Sequence, residues 1–339
     1  MAQYYHFIAP LVPSPLLLTK VSKIPFIQSQ YNCYLFLQGT GAKLPRPTPP
    51  RAEDFFTDFK IDPPMSGFQR KIMSVLNKDR ADTLISQSPP SSPDRARFNS
   101  LSDKSSGIWL STPPISSHYF LPNPSFNVVC RMRLGIQPFD EIKTCLCGTS
   151  LASQPLHFLV CHYLRSAIIT RHDRILQTLH KISRLIGVTV MIEPRLAVGE
   201  EGSRSDGHFF FSSFSAHVDV AVVHPAAPTY LNLAHRPLAA TNKREKEKNS
   251  SYAYAAQRQG SLFFPSVFES FGTFGPEAIR FLSKLADEAI GNNITEIDDQ
   301  PVKAHIYRSL SFVLQSGNAN ILLYASRLAR ARAHNLVFR

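Results

Sequence analysis

The stretch "RSDGHFFFSSFSAHVDVAVV", Arg204 to Val223, decides how this chain is read. It holds two short runs of strand-forming residues, "HFFFSS" and "AHVDVAVVHP", yet carries Asp206 at its entrance and Asp219 in its middle. Aspartate is among the poorest strand formers, and a buried carboxylate without a partner is costly, so each acid requires compensation. Strand alternation puts Asp219 on the face of Ala221, away from Val218, Val220 and Val222. Asp206 lies just before the second strand, beside Gly207, so the two carboxylates are expected to meet at one end of a hairpin. Adjacent carboxylates do not both stay ionised without a cation. Mg²⁺, typically bound by one or two carboxylates plus water and phosphate oxygens, fits that requirement, and it would polarise a phosphodiester and activate a water.

The flanking residues supply the rest of a domain. "RHDRILQTLHKISRLIG" sets Ile175, Leu179, Ile182 and Ile186 on one helical face and ends at Gly187, where a helix-terminating glycine belongs. "VTVMIEP" reads as a strand ahead of the two above, "TNKREKEKNSSYAYAAQRQG" as a charged helix and "SLFFPSVFES" as a fourth strand. "PEAIRFLSKLADEAIG", "PVKAHIYRSLSFVLQSG" and "NANILLYASRLARARAHN" read as three further helices. The order predicts a mixed α/β domain over 169–290, a four-stranded mixed sheet flanked by helices, followed by a helical tail over 291–339. Residues 1–65, including "KLPRPTPPRAED", read as an extended, poorly ordered segment, and 66–140 as helix and linker. In the latter, Phe68, Ile72, Val75 and Leu76 have helical spacing, "SQSPPSSPDRARFNS" breaks it as a linker, and Trp109 is expected as a packing residue. Asp298 and Asp299 read as an N-cap before Pro301, not as the paired aspartates of a polymerase.

Composition narrows the function classes. With 339 residues and 43% hydrophobic content the chain is able to bury a core. Its 37 Lys+Arg against 25 Asp+Glu give a net charge of +12, which favours polyanionic partners, nucleic acid ahead of an anionic membrane surface. No stretch approaches 18 consecutive apolar residues and the N-terminus lacks the basic region of a signal peptide, so an intracellular, soluble protein is expected. No nucleotide-binding loop is present, and no small-molecule cofactor is expected. Five cysteines, four of them between Cys130 and Cys161, make a poor secreted disulfide framework. In "CLCGTSLASQPLHFLVC" (141–168 as a segment), Cys145, Cys147, His157 and Cys161 have the types needed for tetrahedral Zn²⁺. His157 and Cys161, four apart, would share one face of a helix. The Cys-x-Cys pair is tighter than usual, and the competing reading is two partly buried helix residues beside an incidental cysteine pair. Cys33 and Cys130 read as ordinary thiols.

This order of elements resembles the restriction-endonuclease-like fold, whose signature is Pro-Asp, a spacer, then Asp/Glu-x-Lys. More closely, "RHDRI", "EPR", "RSD", "VDVAVVHPAAPTY", "KREKEK" and "PSVFESFGTFG" together resemble the C-terminal endonuclease region of non-LTR retrotransposon reverse-transcriptase polyproteins, from about Trp109 onward. The resemblance implies that Asp206 and Asp219 bind a catalytic Mg²⁺ or Mn²⁺, with Glu193 as a third candidate. It also implies a Cys-Cys-His-Cys zinc knuckle just ahead of the nuclease, and DNA, with retroelement RNA as a further candidate, as partner. Two positions depart from the signature. Ser205 stands where it has proline, and Ala221 stands where it has lysine. In the retroelement version the lysine comes from the following helix, where this chain offers Lys243, Lys246 and Lys248; a charged helix is equally often a solvated face. Ser251 precedes Tyr252, where the family often has lysine. Three readings stay open: a metal-dependent DNA endonuclease, a catalytically inactive nucleic-acid-binding remnant, and an unrelated interaction scaffold.

Overall fold

The computed structural model describes residues 68–114, 117–196 and 204–337, so the readings placed on 1–65 and on Cys33 lie outside the described residues. The chain divides into two compact units, one ending at Gln87 and one beginning at Ser88. Helix α1 (Phe68–Gln87) is the described part of the first. The second contains α2 (Pro93–Leu101), α3 (Ile108–Ser111), α4 (Asn123–Leu134), α5 (Arg165–Leu185), β1 (Thr189–Ile192), β2 (Gly207–Phe210), β3 (Ser215–Val223) and α6 (Pro228–Leu231). It continues with α7 (Ala239–Arg258), β4 (Leu262–Glu269), α8 (Pro276–Gly291), β5 (Glu296–Ile297), β6 (Gln300–Pro301) and α9 (Val302–Val337). Among the described residues, no helix is long and apolar enough to cross a membrane.

The mixed α/β sheet has the order β1-β2-β3-β4. The first three strands pair antiparallel, β2 and β3 through a short connection over 211–214, whereas β4 runs parallel to β3 and therefore needs a crossover, which α7 supplies. One sheet face buries Phe209, Val218, Val220 and Phe264 against Ile175, Leu179 and Ile182 of α5 and Phe281 and Leu285 of α8. On the other face Val223 and Val267 meet Ala240 of α7. A second core gathers Trp109, Met132, Leu151, Phe158 and Leu164, so the single tryptophan is a packing residue.

Helix α9 belongs to both cores. Val302, Ile306, Leu310 and Leu314 face the sheet, and Phe312, Ile321 and Leu322 face the second core. The two helices expected over 301–317 and 318–335 are thus one helix of 36 residues, about 54 Å long at 1.5 Å per residue. Gly317, the last residue of the first of those segments, lies inside the helix and allows a close approach: a Cβ there would lie 2.5 Å from Cγ of Arg171. Asn318, next to it, accepts from Arg171 Nη1 at 2.8 Å and donates to the Ser270 carbonyl at 2.7 Å.

Two further expectations are corrected. The Pro- and Ser-rich linker contains α2, started by Ser92, whose hydroxyl accepts from the Arg95 amide, with Pro93 in the first turn. Its polar residues are buried against distant backbone and side chains: Asn99 donates to the Ala234 carbonyl at 2.7 Å, and Ser100 meets Thr273 Oγ1 at 2.9 Å. Asp298 and Asp299 are not an N-cap. They are the central pair of the β5–β6 hairpin, both in the left-handed region at φ 51° and 57°, as a two-residue turn of mirror-image type demands.

The buried polar seam beside α9 makes stability sensitive to acid. His224, 5% exposed, bonds Ser270 Oγ through Nδ1 at 2.7 Å. Burial, then the charges of Arg171 and His157, push its pKa down to about 3. A depressed folded-state pKa means that the neutral imidazole's contribution is present above about 6.5 and is lost as pH falls towards 3; between pH 6.5 and 5 this amounts to about 2 kcal/mol. Thermal melts at pH 7 and 5 are expected to show a smaller acid loss in His224→Gln than in wild type. Equal losses in the two proteins would remove His224 as the source.

Candidate functional site

The acid pair forms where β2 begins and β3 passes it. The Asp206 amide donates to the Val218 carbonyl at 3.0 Å, and its carbonyl accepts from the Glu193 amide at 3.2 Å, so its backbone links the end of β1 to β3. Its Oδ2 accepts from the Val220 amide at 2.6 Å and lies 3.1 Å from His172 Nε2 on α5. Asp219 lies on the face that β3 turns towards α7, where Lys248 Nζ donates to its Oδ2. The β2–β3 register, with Gly207 opposite Val218, sets Asp206 opposite Asp219, so the two carboxyl groups share one sheet face. Burial pushes Asp219 up to about 6, with the Lys248 ammonium opposing and the Asp206 charge adding to the rise. Burial also acts upwards on Asp206, but the hydrogen bond and charge of His172, with the Val220 amide, hold it below the usual carboxylate range.

Of the three lysines on the following helix, one reaches the acids. Lys248 and Asp219 side chains are 9% and 10% exposed. Lys243 instead sits 5.6 Å over the Tyr230 ring, and Lys246 is exposed. Helix α7 is fixed in phase by buried Thr241, Glu245 and Lys248, spaced four and three apart. Glu245 reaches across to the start of α8, where its Oε1 accepts from the Glu277 amide at 3.1 Å. A Cβ at Gly275 would collide with that carboxylate, which accounts for the glycine. Glu193 is exposed and its carboxylate faces Arg204 Nη1 at 3.8 Å, while its backbone, at φ 47°, adjoins Asp206. Its contact with Asp206 is therefore through the main chain.

His172 carries no role in the sequence reading, although "RHDRI" contains it. It stands between two carboxylates, 3.1 Å from Asp206 Oδ2 and 3.1 Å from Asp173 Oδ1. The Asp206 hydrogen bond is the main reason that its pKa rises to about 9. The available signal was phase: His172 adjoins the buried stripe of α5 that starts at Arg171 and Ile175.

A second constellation lies in the other core. Cys145, Cys147, His157 and Cys161 place their donor atoms within 4.8 Å of one another, a group able to hold a metal ion. Cys145 and Cys161 Sγ are 3.4 Å apart, and Cys147 Sγ is 3.1 Å from His157 Nε2. Two thiolates on one tetrahedral zinc stand about 3.8 Å apart, from Zn–S bonds of about 2.3 Å, so little movement is required. The Cys-Leu-Cys-Gly turn closes through the Gly148 amide on the Cys145 carbonyl at 2.9 Å, with Gly148 at φ 89°. Gln154 Oε1 lies 3.2 Å from His157 Nδ1, orienting Nε2 towards the sulfurs.

His157 and Cys161 do not share a helix face. Each opens or precedes its own 3-10 turn, His157–Leu159 and His162–Leu164, and the second turn leads into α5. The thiols differ: burial pushes Cys145 up to about 12, whereas at Cys147 burial is outweighed by hydrogen bonds from Thr149 and the neighbouring thiols, which bring it to about 6. Helix α9 braces the turn, with Arg332 Nη1 donating to the Leu146 carbonyl at 3.1 Å and Arg330 pairing with Glu141 at 2.6 Å. Cys130 is half-buried with a free thiol. No family model and no curated protein matches the chain.

Proposed function

We propose that the chain is a metal-dependent DNA endonuclease of the retroelement type, with a restriction-endonuclease-like core and a zinc knuckle, acting on DNA in the nucleus. The observation that carries this reading is the convergence of Asp206, Asp219 and Lys248 from a strand entrance, a strand and the crossover helix. Those are the elements from which the resemblance draws its two acids and its displaced lysine. The donor set suits Mg²⁺ or Mn²⁺ in kind, two hard carboxylate groups on one sheet face and partly shielded from water. When bound, such an ion supplies Lewis-acid polarisation of a phosphodiester and a more acidic water.

The chain's own part is positional. Asp206 and Asp219 hold the ion, Lys248 brings a proton donor and positive charge beside Asp219, and His172 keeps Asp206 ionised and oriented. Cys145, Cys147, His157 and Cys161 hold structural zinc, and the net charge of +12 supplies attraction for phosphates. One observation favours a second reading: Lys248 already neutralises Asp219 inside the fold, as a structural ion pair in an inactive nucleic-acid-binding remnant would.

Incubating supercoiled plasmid with purified protein separates the two. Nicked circles with Mg²⁺ or Mn²⁺, and none with chelator, are expected of the endonuclease. Plasmid retained by the protein but left uncut with both metals identifies the remnant.

A further inference from the structure

We propose that His217, braced by Gln259 and Ser205, is a positioning residue that fixes Asp206 for metal binding. The inference rests on the endonuclease reading for what Asp206 does. A proline ahead of the acid restricts the backbone by its ring; a serine there has no such restraint and must be tied from outside. Ser205, 2% exposed, lies with Oγ 2.8 Å from His217 Nδ1, and His217, fully buried on β3, lies with Nε2 2.9 Å from Gln259 Oε1. Gln259, the residue that ends α7, donates through Nε2 to the Leu196 carbonyl at 2.6 Å.

The donors run in one direction. The Gln259 amide nitrogen is committed to Leu196, so its oxygen faces His217 and accepts the Nε2 proton. That leaves Nδ1 as the acceptor for the Ser205 hydroxyl. His208 stacks on the same imidazole, centroids 3.9 Å apart and planes 16° apart, and is itself 3.1 Å from Ser261 Oγ. The ring therefore has little freedom to turn. Leu196 and Ser205 belong to the two stems that run out from β1 and back to β2, and the Ser205 amide donates to the Pro194 carbonyl at 3.2 Å. One relay thus ties both stems to β3, two residues before Asp219 and one residue before Asp206. An imidazole on the face shared with Asp219 sets the spacing of the two acids.

Ser205→Ala and Gln259→Leu cut the relay at its ends and leave the buried ring in place, and Gln259→Glu keeps the acceptor for His217. Two readouts are required, hydrogen exchange of the 204–207 segment and the Mg²⁺ dependence of plasmid nicking. In both cutting variants, exchange over 204–207 is expected to quicken by about tenfold or more through local opening. The Mg²⁺ concentration for half-maximal nicking is expected to rise roughly 10- to 100-fold, and Gln259→Glu, which keeps the acceptor for His217 but loses the donor to the Leu196 carbonyl, is expected to recover only part of it. Unchanged exchange in both cutting variants overturns the inference. So does wild-type Mg²⁺ dependence in variants of an enzyme that nicks. A wild-type protein that cuts nothing overturns the endonuclease reading, while the exchange measurement still decides whether the relay fixes Asp206.

Discussion

Metal analysis of protein purified without chelator is expected to find about one zinc per chain, and removing it is expected to lower the melting temperature by roughly 10–20 °C, equivalent to about 5 kcal/mol for a unit of this size. Free structural zinc sites in short peptides contribute more, because nothing else orders their ligands. Here Cys145, Leu151, Phe158, Cys161 and Leu164 are already buried against α9. Without the ion, the cost falls on packing four polar donors together: a thiol at Cys147 that ionises near pH 6 beside a thiol at Cys145 that resists ionisation. Cys161→Ser is expected to reproduce the chelator effect, and added chelator should then change its melt little. Metal-free preparations that melt like untreated protein would remove the knuckle.

Asp219→Asn is expected to abolish nicking with little change in the melt of the metal-free protein, and two opposing effects explain why. A buried carboxyl raised to about 6 is destabilising when ionised, by about 3 kcal/mol relative to its usual range, and asparagine relieves that. Against it, removing one partner of a buried ion pair leaves Lys248 unmatched, a loss on the order of 3–5 kcal/mol before relaxation. The sign of the linkage supplies a further check. A raised carboxyl favours the fold below about pH 4 and loses that contribution as pH rises through about 6, so wild type loses stability over that window and Asp219→Asn does not. Mn²⁺ should stabilise wild type and leave the variant unmoved. A variant that melts well below wild type, with no Mn²⁺ shift in either protein, leaves the acids as architecture.

Much of this arrangement was readable from residue order, and the misreadings have physical causes. The alternation of Val218, Val220 and Val222 placed Asp219 with Ala221, and the structure places it there, opposite α7. The cysteine and histidine spacing identified a group whose donor atoms converge, although the helix assumed to align two of them is a pair of 3-10 turns. Choosing among Lys243, Lys246 and Lys248 required the phase of α7, whose buried positions, Ala240, Thr241, Glu245, Lys248 and Ala256, are mostly polar or small and give only a weak hydrophobic period. The same polarity hid α2, whose Asn99 and Ser100 find partners more than a hundred residues away. Two helices were expected to meet after Gly317, yet α9 runs through it, with Arg171 packed where a side chain would stand.

Helix α9 has a consequence for how the protein is made. Trp109 is translated early, Phe209 and Val218 later, yet the helix that closes over both of their cores spans Val302–Val337. At about 5–20 residues per second, the first core residues wait roughly 10–50 s on the ribosome for their cover. Through that interval the unfinished sheet and the half-built aromatic cluster are sticky surfaces, open to chaperones and to neighbouring nascent chains alike. The pairing of distant segments also makes the final closure slow. Yield on expression is therefore expected to respond to substitutions along α9, such as at Leu310 or Leu322, more sharply than to those in α8, which meets β4 soon after both emerge.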